Sequence, residues 1–264
     1  LPMPYGLSDA IDAKLHEIEE PNVNAGWVAM SPDTHNIVWS IADCIELPSK
    51  LVVGSHDGGQ TYFKVKIDGA DDNNGKLKVF ADRVNNSVFY GFGESGQFYV
   101  STDAGESFNI AAAGLPRIDF GSIDTADKTE IRVEGGQTGV IYIATGDAGL
   151  YKLIYNLENG GVTLMRLSAD GDSVFRIGLG LGRPRGDYLK EKKAVYLCGV
   201  IDGQYGFYRS FDDCNTYERI NTDRQMFGDI NSIDGDKRVF GRFFIATGSR
   251  GVIYGEACVE GENI

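Results

Sequence analysis

The sequence predicts an all-β chain of short antiparallel strands, and three observations predict it. First, 35 of 264 residues are glycine and only 7 are proline, while 13 tyrosines and 14 phenylalanines supply side chains that suit half-buried strands. Second, apolar or aromatic runs of strand length recur along the chain, bounded by glycine and small polar residues. Third, a short Ser-x-Asp turn pattern is repeated, and its first two copies begin 46 residues apart, at Ser55 and Ser101.

Taken in order, the runs are Trp27–Met30, Asn36–Ser40, Leu51–Gly54, Val88–Phe92, Gln97–Ser101, Gly139–Ala144, Leu150–Ile154, Ala194–Val200, Gly206–Ser210, Arg242–Thr247 and Gly251–Gly255. Each has the length and residue types of a strand. Only Leu7–Glu20 carries a helical pattern, with Ile11, Leu15 and Ile18 on one face behind a Ser8 or Asp9 cap.

The repeat is explicit in Ser55-His-Asp57-Gly-Gly-Gln-Thr61-Tyr-Phe63, Ser101-Thr-Asp103-Ala-Gly-Glu-Ser107-Phe108 and Ser210-Phe-Asp212-Asp-Cys-Asn-Thr216-Tyr217. In such a hairpin the carboxylate accepts backbone N–H groups across the turn, and the aromatic ring packs between neighbouring sheets. Asp57, Asp103 and Asp212 are therefore expected to be structural staples and not acids or bases. The 46-residue spacing is about one blade of a β-propeller. Anchoring on these turns gives about five blade-like units, 26–66, 76–112, 117–167, 172–220 and 228–256. The expected organisation is a lead-in over 1–25, propeller blades over 26–256 and a tail over 257–264.

Composition excludes several functions. With 25 Lys plus Arg against 38 Asp plus Glu, the net charge of −13 repels phosphate backbones and anionic lipid, so neither nucleic acid nor a membrane is an expected partner. The opening Leu1-Pro-Met-Pro4 has neither an initiator Met nor a signal-peptide pattern, which fits a mature, processed or fragmentary chain. Cys44, Cys198, Cys214 and Cys258 form no Cys-x-x-Cys pair beside a histidine, so no metal site is expected. Cys198 and Cys214 flank a strand-turn-strand stretch and are open to one bridge in a secreted chain, although four cysteines permit three pairings. Asn85-Asn-Ser87 is an N-glycosylation sequon, a sign of secretion. Gly178-Leu-Gly180-Leu-Gly182 lacks the helix and the second-strand acid of a dinucleotide loop, and no organic cofactor is indicated.

The Ser-x-Asp pattern resembles the Asp-box of sialidases, sortilin-type receptors and some glucanases. Longer stretches are more specific. Phe175-Arg-Ile-Gly-Leu-Gly180, Ala194-Val-Tyr-Leu-Cys-Gly-Val200, Tyr205-Gly-Phe-Tyr-Arg-Ser210, Gly235-Asp-Lys-Arg-Val-Phe-Gly-Arg242 and Gly248-Ser-Arg-Gly-Val-Ile-Tyr-Gly255 resemble the end of glycoside hydrolase family 74, the xyloglucanases. Ala81-Asp-Arg-Val-Asn85, Phe98–Asp103, Val28–Asp33 and Ile37–Ser40 are similar to that family's middle blades in the same order. The resemblance implies two seven-bladed propellers facing across a cleft, with one Asp from each acting as an inverting acid and base pair. Neither catalytic Asp motif is present, so no catalytic residue is expected in this chain. It is expected to be a C-terminal propeller part of a secreted β-1,4-glucanase, joined by the remainder of the polypeptide or a companion chain. The family's Asp-Gln-His-Gln-Tyr-Gly-like segment stands here as Asp223-Arg-Gln-Met-Phe-Gly228, without the histidine. A reading from another class is a non-catalytic Asp-box propeller that binds glycan or protein.

If Asp-box turns join the third and fourth strands at one face, the turns between second and third strands, and those between blades, lie at the opposite face. Trp39, Asp43, Glu46, Glu94, Asp147, Asp202, Tyr205, Asp229 and Arg250 are then the expected contacts of xyloglucan or a related β-glucan oligosaccharide. Aromatic rings stack on pyranoses, while carboxylates and arginine bind hydroxyls.

Overall fold

The computed structural model describes residues 26–41, 51–69, 77–117, 129–182 and 193–256, so the proposed helix at 7–20 and Asp43, Glu46, Cys44 and Cys258 lie outside the described residues. All regular structure among the described residues is β. The strands are β1 (Gly26–Met30), β2 (Ile37–Ile41), β3 (Leu51–Ser55), β4 (Phe63–Lys64), β5 (Lys66–Ile67), β6 (Lys78–Ala81), β7 (Phe89–Phe92), β8 (Phe98–Ser101), β9 (Ser107–Ala112) and β10 (Glu130–Val133). They continue as β11 (Val140–Ala144), β12 (Leu150–Tyr155), β13 (Val162–Arg166), β14 (Ser173–Gly180), β15 (Ala194–Ile201), β16 (Gln204–Ser210), β17 (Glu218–Arg219), β18 (Ile230–Gly235), β19 (Phe243–Thr247) and β20 (Val252–Gly255).

These strands form five consecutive sheets among the described residues: β1–β4, β6–β9 with β5 added to β9, β10–β13, β14–β17 and β18–β20. The stretch 63–67 changes partners at Val65. Val65 N donates to Val52 O at 3.0 Å, whereas Lys66 N donates to Glu106 O at 3.0 Å, so one extended segment closes the first sheet and joins the second.

The chain divides into two compact units. The first holds the sheets of β1–β9. Its core contains Val38, Val52, Val79, Phe89 and Phe108, and a further buried aromatic group is formed by Tyr90, Phe92 and Phe98. Tyr90 is wholly buried and its hydroxyl donates to Asp82 Oδ2 at 2.6 Å. Asp82 in turn accepts Val84 N, Asn85 N and Gly139 N, so this buried carboxylate ties down the β6–β7 turn. The second unit holds the sheets of β10–β20. One of its clusters is built on Tyr142, Leu150, Val174, Ile177 and Leu197, and another on Tyr196, Phe207, Ile233 and Ile245.

The three repeated turns share one geometry. Asp57 Oδ1 accepts the Ser55 hydroxyl at 2.8 Å and the N–H groups of Gln60 and Thr61 at 2.9 Å each, while Oδ2 accepts the Thr61 hydroxyl at 2.7 Å. Asp103 and Asp212 make the corresponding bonds with Ser101 and Ser107, and with Ser210 and Thr216. In each turn the leading serine accepts the backbone N–H of the fifth residue, Gly59, Gly105 or Cys214, and in the first and third turns it also accepts the N–H of the aspartate. That fifth residue lies in the left-handed region at φ 88°, 91° and 64°, respectively, a conformation that costs a non-glycine residue such as Cys214 about 1–2 kcal/mol. Phe63, Phe108 and Tyr217, which follow the turns, pack on the sheet cores. A related turn between β1 and β2, in which Ser31 donates to Asp33 and accepts Asn36 N, was not recognised in the sequence.

The proposed Cys198–Cys214 bridge is not formed. Both are buried free thiols. Cys198 pairs with Phe207 across β15 and β16, and the chain runs on beyond β16 before reaching Cys214, so the two side chains enter different apolar clusters. Burial pushes each thiol up to about 11, which leaves both protonated and unreactive at neutral pH.

The glycine-rich run 178–182 opens as strand, not as a phosphate loop. A Cβ on Gly178 would lie 2.4 Å from Asp234 Cα and 2.4 Å from Ile233 O, so glycine is required for β14 and β18 to approach each other. Gly178→Ala is expected to destabilise the fold by about 1–3 kcal/mol. A lowered denaturant midpoint with an unchanged slope is the expected readout.

The Thr61 hydroxyl, the Thr61 N–H and the Ser55 hydroxyl hold the Asp57 carboxyl well below its usual 3.8. A depressed carboxyl contributes stability above its unfolded value that is lost as pH falls through the folded one, so acid sensitivity begins below about pH 3.8. Asp57→Asn is expected to remove about one proton from the uptake that accompanies acid unfolding, measured as the slope of stability against pH.

Candidate functional site

The end of each sheet opposite the Asp turns carries most of the expected ligand residues. Glu94 lies between β7 and β8, Asp147 between β11 and β12, Asp202 between β15 and β16, and Arg250 between β19 and β20. Asp57, Asp103 and Asp212 lie between third and fourth strands. In an antiparallel sheet these two sets of turns are at opposite ends.

Within the second unit the structure draws several of these residues together around the start of β14. Ser173 donates to Asp147 Oδ1 at 2.9 Å, which fixes the β11–β12 turn to that strand. Asp202 N donates to Asp172 Oδ1 at 3.0 Å, and Asp202-Gly203, both left-handed, make the two-residue turn that Asp-Gly favours. Tyr205 sits at the start of β16 with its hydroxyl 3.2 Å from Cys198 Sγ. Burial raises the phenol further, so Tyr205 presents a neutral hydroxyl across the working pH range. Asp229 and Arg176 both act electrostatically on Tyr205 and Cys198, which places all four groups in one neighbourhood. Asp229 O accepts Gly248 N at 2.9 Å, tying Asp229 to the turn that carries the exposed Arg250.

Two residues of this neighbourhood escaped the sequence reading. Arg176 donates from Nε to Asn231 O at 3.1 Å and from Nη1 to Phe175 O at 2.7 Å, and Nη2 has no partner among the described residues. Glu130, whose side chain is 14% exposed, accepts Ile177 N at 2.7 Å on Oε2 and pairs with Arg132 through Oε1. No motif marks either residue, because each acquires its role from contacts 47 to 55 residues away. Asp234 repeats the arrangement, with Oδ1 accepting Leu179 N at 3.0 Å. Carboxylates from β10 and β18 thus satisfy N–H groups of β14, the first strand of its sheet.

Trp39 and Glu94 belong to the first unit. Trp39 is half-buried within β2, opposite Val28 and Val53, with its indole against Gly26, so it is a strand residue and not part of a turn. Glu94 is half-exposed and 3.6 Å from Arg117. Asn85 is half-buried in the β6–β7 turn, where its Oδ1 accepts Ser87 N at 3.0 Å. No group of three metal-ligating side chains converges among the described residues.

No family model matches the chain. A curated xyloglucanase of Paenibacillus sp is 34% identical over 236 residues, which are 88% of this chain and 20% of that protein. A xyloglucanase of Acetivibrio thermocellus is 36% identical over 242 residues, 90% of this chain and 25% of that one. The chain is homologous to the family 74 xyloglucanases. Among solved structures, the glycoside hydrolase family 74 xyloglucanase of Xanthomonas campestris aligns with a TM-score of 0.68 at 29% identity, covering 87% of this chain and 29% of that one. The family 74 enzyme of Niastella koreensis aligns at 0.65 and 25% identity, over 86% and 30%. The five sheets are accordingly blades of the β-propeller fold that these enzymes have. The chain spans between 20% and 29% of the length of the curated family 74 relatives it matches.

Burial, opposed by Arg132, the Ile177 N–H and Arg176, raises the Glu130 carboxyl above its usual 4.5. A raised group contributes stability that is present below the unfolded value and lost as pH rises through the folded one, so the ionised Glu130 costs stability at neutral pH. Glu130→Gln keeps an oxygen for Ile177 N. Its stability relative to the parent chain is expected to increase between pH 4.5 and 7.5, measured as the shift in denaturant midpoint.

Proposed function

We propose that this chain is a C-terminal propeller part of a secreted, xyloglucan-active β-1,4-glucanase and forms one wall of its glycan cleft. The observation that carries this reading is homology to xyloglucanases over about nine tenths of the chain, at 34% to 36% identity, combined with coverage of only 20% to 25% of their length. In this reading residues 26–256 are one run of blades, and the inverting acid and base lie in the remainder of the polypeptide or in a companion chain. Extracellular location follows from the polymeric substrate, and Asn85 is a glycan acceptor in a host that modifies sequons.

The β14 end of the second unit supplies the binding chemistry. Arg176 and Tyr205 donate hydrogen bonds to sugar hydroxyls, and Asp229 and Asp202 accept them. Glu94 and Trp39 are the corresponding residues proposed for the first unit, with Asp147 and Arg250 at the rims of their turns. A neutral glycan needs no net charge complementarity, which suits an acidic chain.

The test is calorimetric titration of the pure chain with a xyloglucan oligosaccharide, together with a reducing-end assay on xyloglucan. Binding without hydrolysis is expected, and Arg176→Ala is expected to weaken binding about tenfold, equivalent to about 1.4 kcal/mol. Absence of binding would overturn the glycan-wall reading, and release of reducing ends by the pure chain would overturn the placement of the catalytic pair elsewhere.

A further inference from the structure

The segment between β17 and β18 contains a conformation that its sequence does not favour. Phe227 has φ 54° and is followed by Gly228 at φ 77°, two left-handed residues in succession immediately before Asp229. A glycine at 227 would adopt this conformation freely, whereas a bulky aromatic residue there is an outlier. The aromatic ring provides the compensation. It stacks on Phe207, with centroids 6.0 Å apart and planes within 16°, and packs against the apolar cluster built on Tyr196 and Phe207.

The rest of the segment is closed on itself. Asn221 accepts Phe207 N at 2.8 Å and donates to Thr222 O and Gln225 O, while Thr222 N donates to Gln225 Oε1 at 3.1 Å. Arg219 bridges the Tyr205 carbonyl, at 3.0 Å, and Asp223, at 2.8 Å. The segment is thus bonded to β16 at its start and stacked on β16 at Phe227. What leaves it is Asp229, with an exposed carboxylate and a carbonyl that accepts Gly248 N.

We propose that Phe227 is a positioning residue for glycan binding: anchored by its stack on Phe207, it holds 227–228 left-handed and thereby fixes Asp229 against the β19–β20 turn. The inference rests on the glycan-wall reading. It assigns the direction of the Asp229 carboxylate to a ring that touches no ligand.

Phe227→Gly retains access to the left-handed backbone and removes the anchor, whereas Phe227→Tyr retains both. Three quantities are to be measured on the whole chain: the melting temperature, exchange of the Gly248 amide, and the Kd for a xyloglucan oligosaccharide. For Phe227→Gly an unfolding transition close to the parent's is expected, with Gly248 exchange faster by about tenfold and binding weakened by about tenfold, matching Asp229→Ala. Phe227→Tyr is expected to behave as the parent chain in all three. Parent-like binding by Phe227→Gly, alongside weakened binding by Asp229→Ala, would overturn the proposal while leaving the glycan reading intact. Failure of the parent chain to bind would overturn the glycan reading and this inference with it, even if exchange at Gly248 still responded, because Phe227 would then serve loop packing alone.

Discussion

The second unit depends on how its first strands satisfy their outer edges. The first strand of a sheet has one side without a ladder partner, and exposed or buried N–H groups on that side are a liability. On β14 the solution is side chain to backbone: Glu130 from β10 takes Ile177 N, and Asp234 from β18 takes Leu179 N. Arg176 returns the favour by donating to Asn231 O. Strand pairing would have merged the sheets into one continuous surface, whereas these bonds let sheets touch edge to edge and remain separate. They also demand a close approach, which is why Gly178, Gly180 and Gly235 have no space for a Cβ.

The same constraint builds the candidate site. Arg176 is held by two carbonyls, and its guanidinium acts electrostatically on Tyr205. A planar guanidinium whose direction is fixed by two hydrogen bonds loses little further freedom on binding, in contrast to a lysine on a free stem. Tyr205 is restrained by burial of its ring and by Cys198, and Asp229 by its carbonyl bond to Gly248. Preorganisation here is a by-product of edge satisfaction.

The parts of the fold that were legible in the sequence are those fixed by local pattern. All eleven apolar runs became strands to within a residue or two, and the three Ser-x-Asp turns formed with the expected bonds, because each turn closes within five residues. The strands that were overlooked are mainly the first and last of each sheet. Glu130-Ile-Arg-Val133 and Ile230-Asn-Ser-Ile-Asp-Gly235 carry polar side chains because they lace neighbouring edges, so their sequences do not look apolar. Outer strands such as Val162–Arg166 are largely exposed and read as loop. Turn position put Asp147, Asp202 and Arg250 at the sheet end opposite the Asp turns, since an antiparallel sheet places alternate turns at one end. Arg176 and Glu130 were illegible because their partners are half a hundred residues away. Trp39 lies within β2, opposite Val28 and Val53, so the turn argument does not reach it.

The carboxylates of the Asp turns therefore differ in use from those of Asp202 and Asp229. At one end Asp57, Asp103 and Asp212 have their lone pairs taken up by hydroxyl and N–H donors, and these bonds hold the carboxyls below their usual value even where, at Asp103 and Asp212, burial acts in the opposite direction. Each Oδ1 accepts two or more of these bonds and is fully engaged within its own turn. At the other end Asp202 and Asp229 are exposed, and it is their backbone groups, not their carboxylates, that the described bonds engage. The bonds that hold the fold and the acceptors that face outward are thus supplied by different atoms of the same residue type. Removal of the Asp202 or Asp229 carboxylate leaves the turns that close each sheet with their full set of bonds.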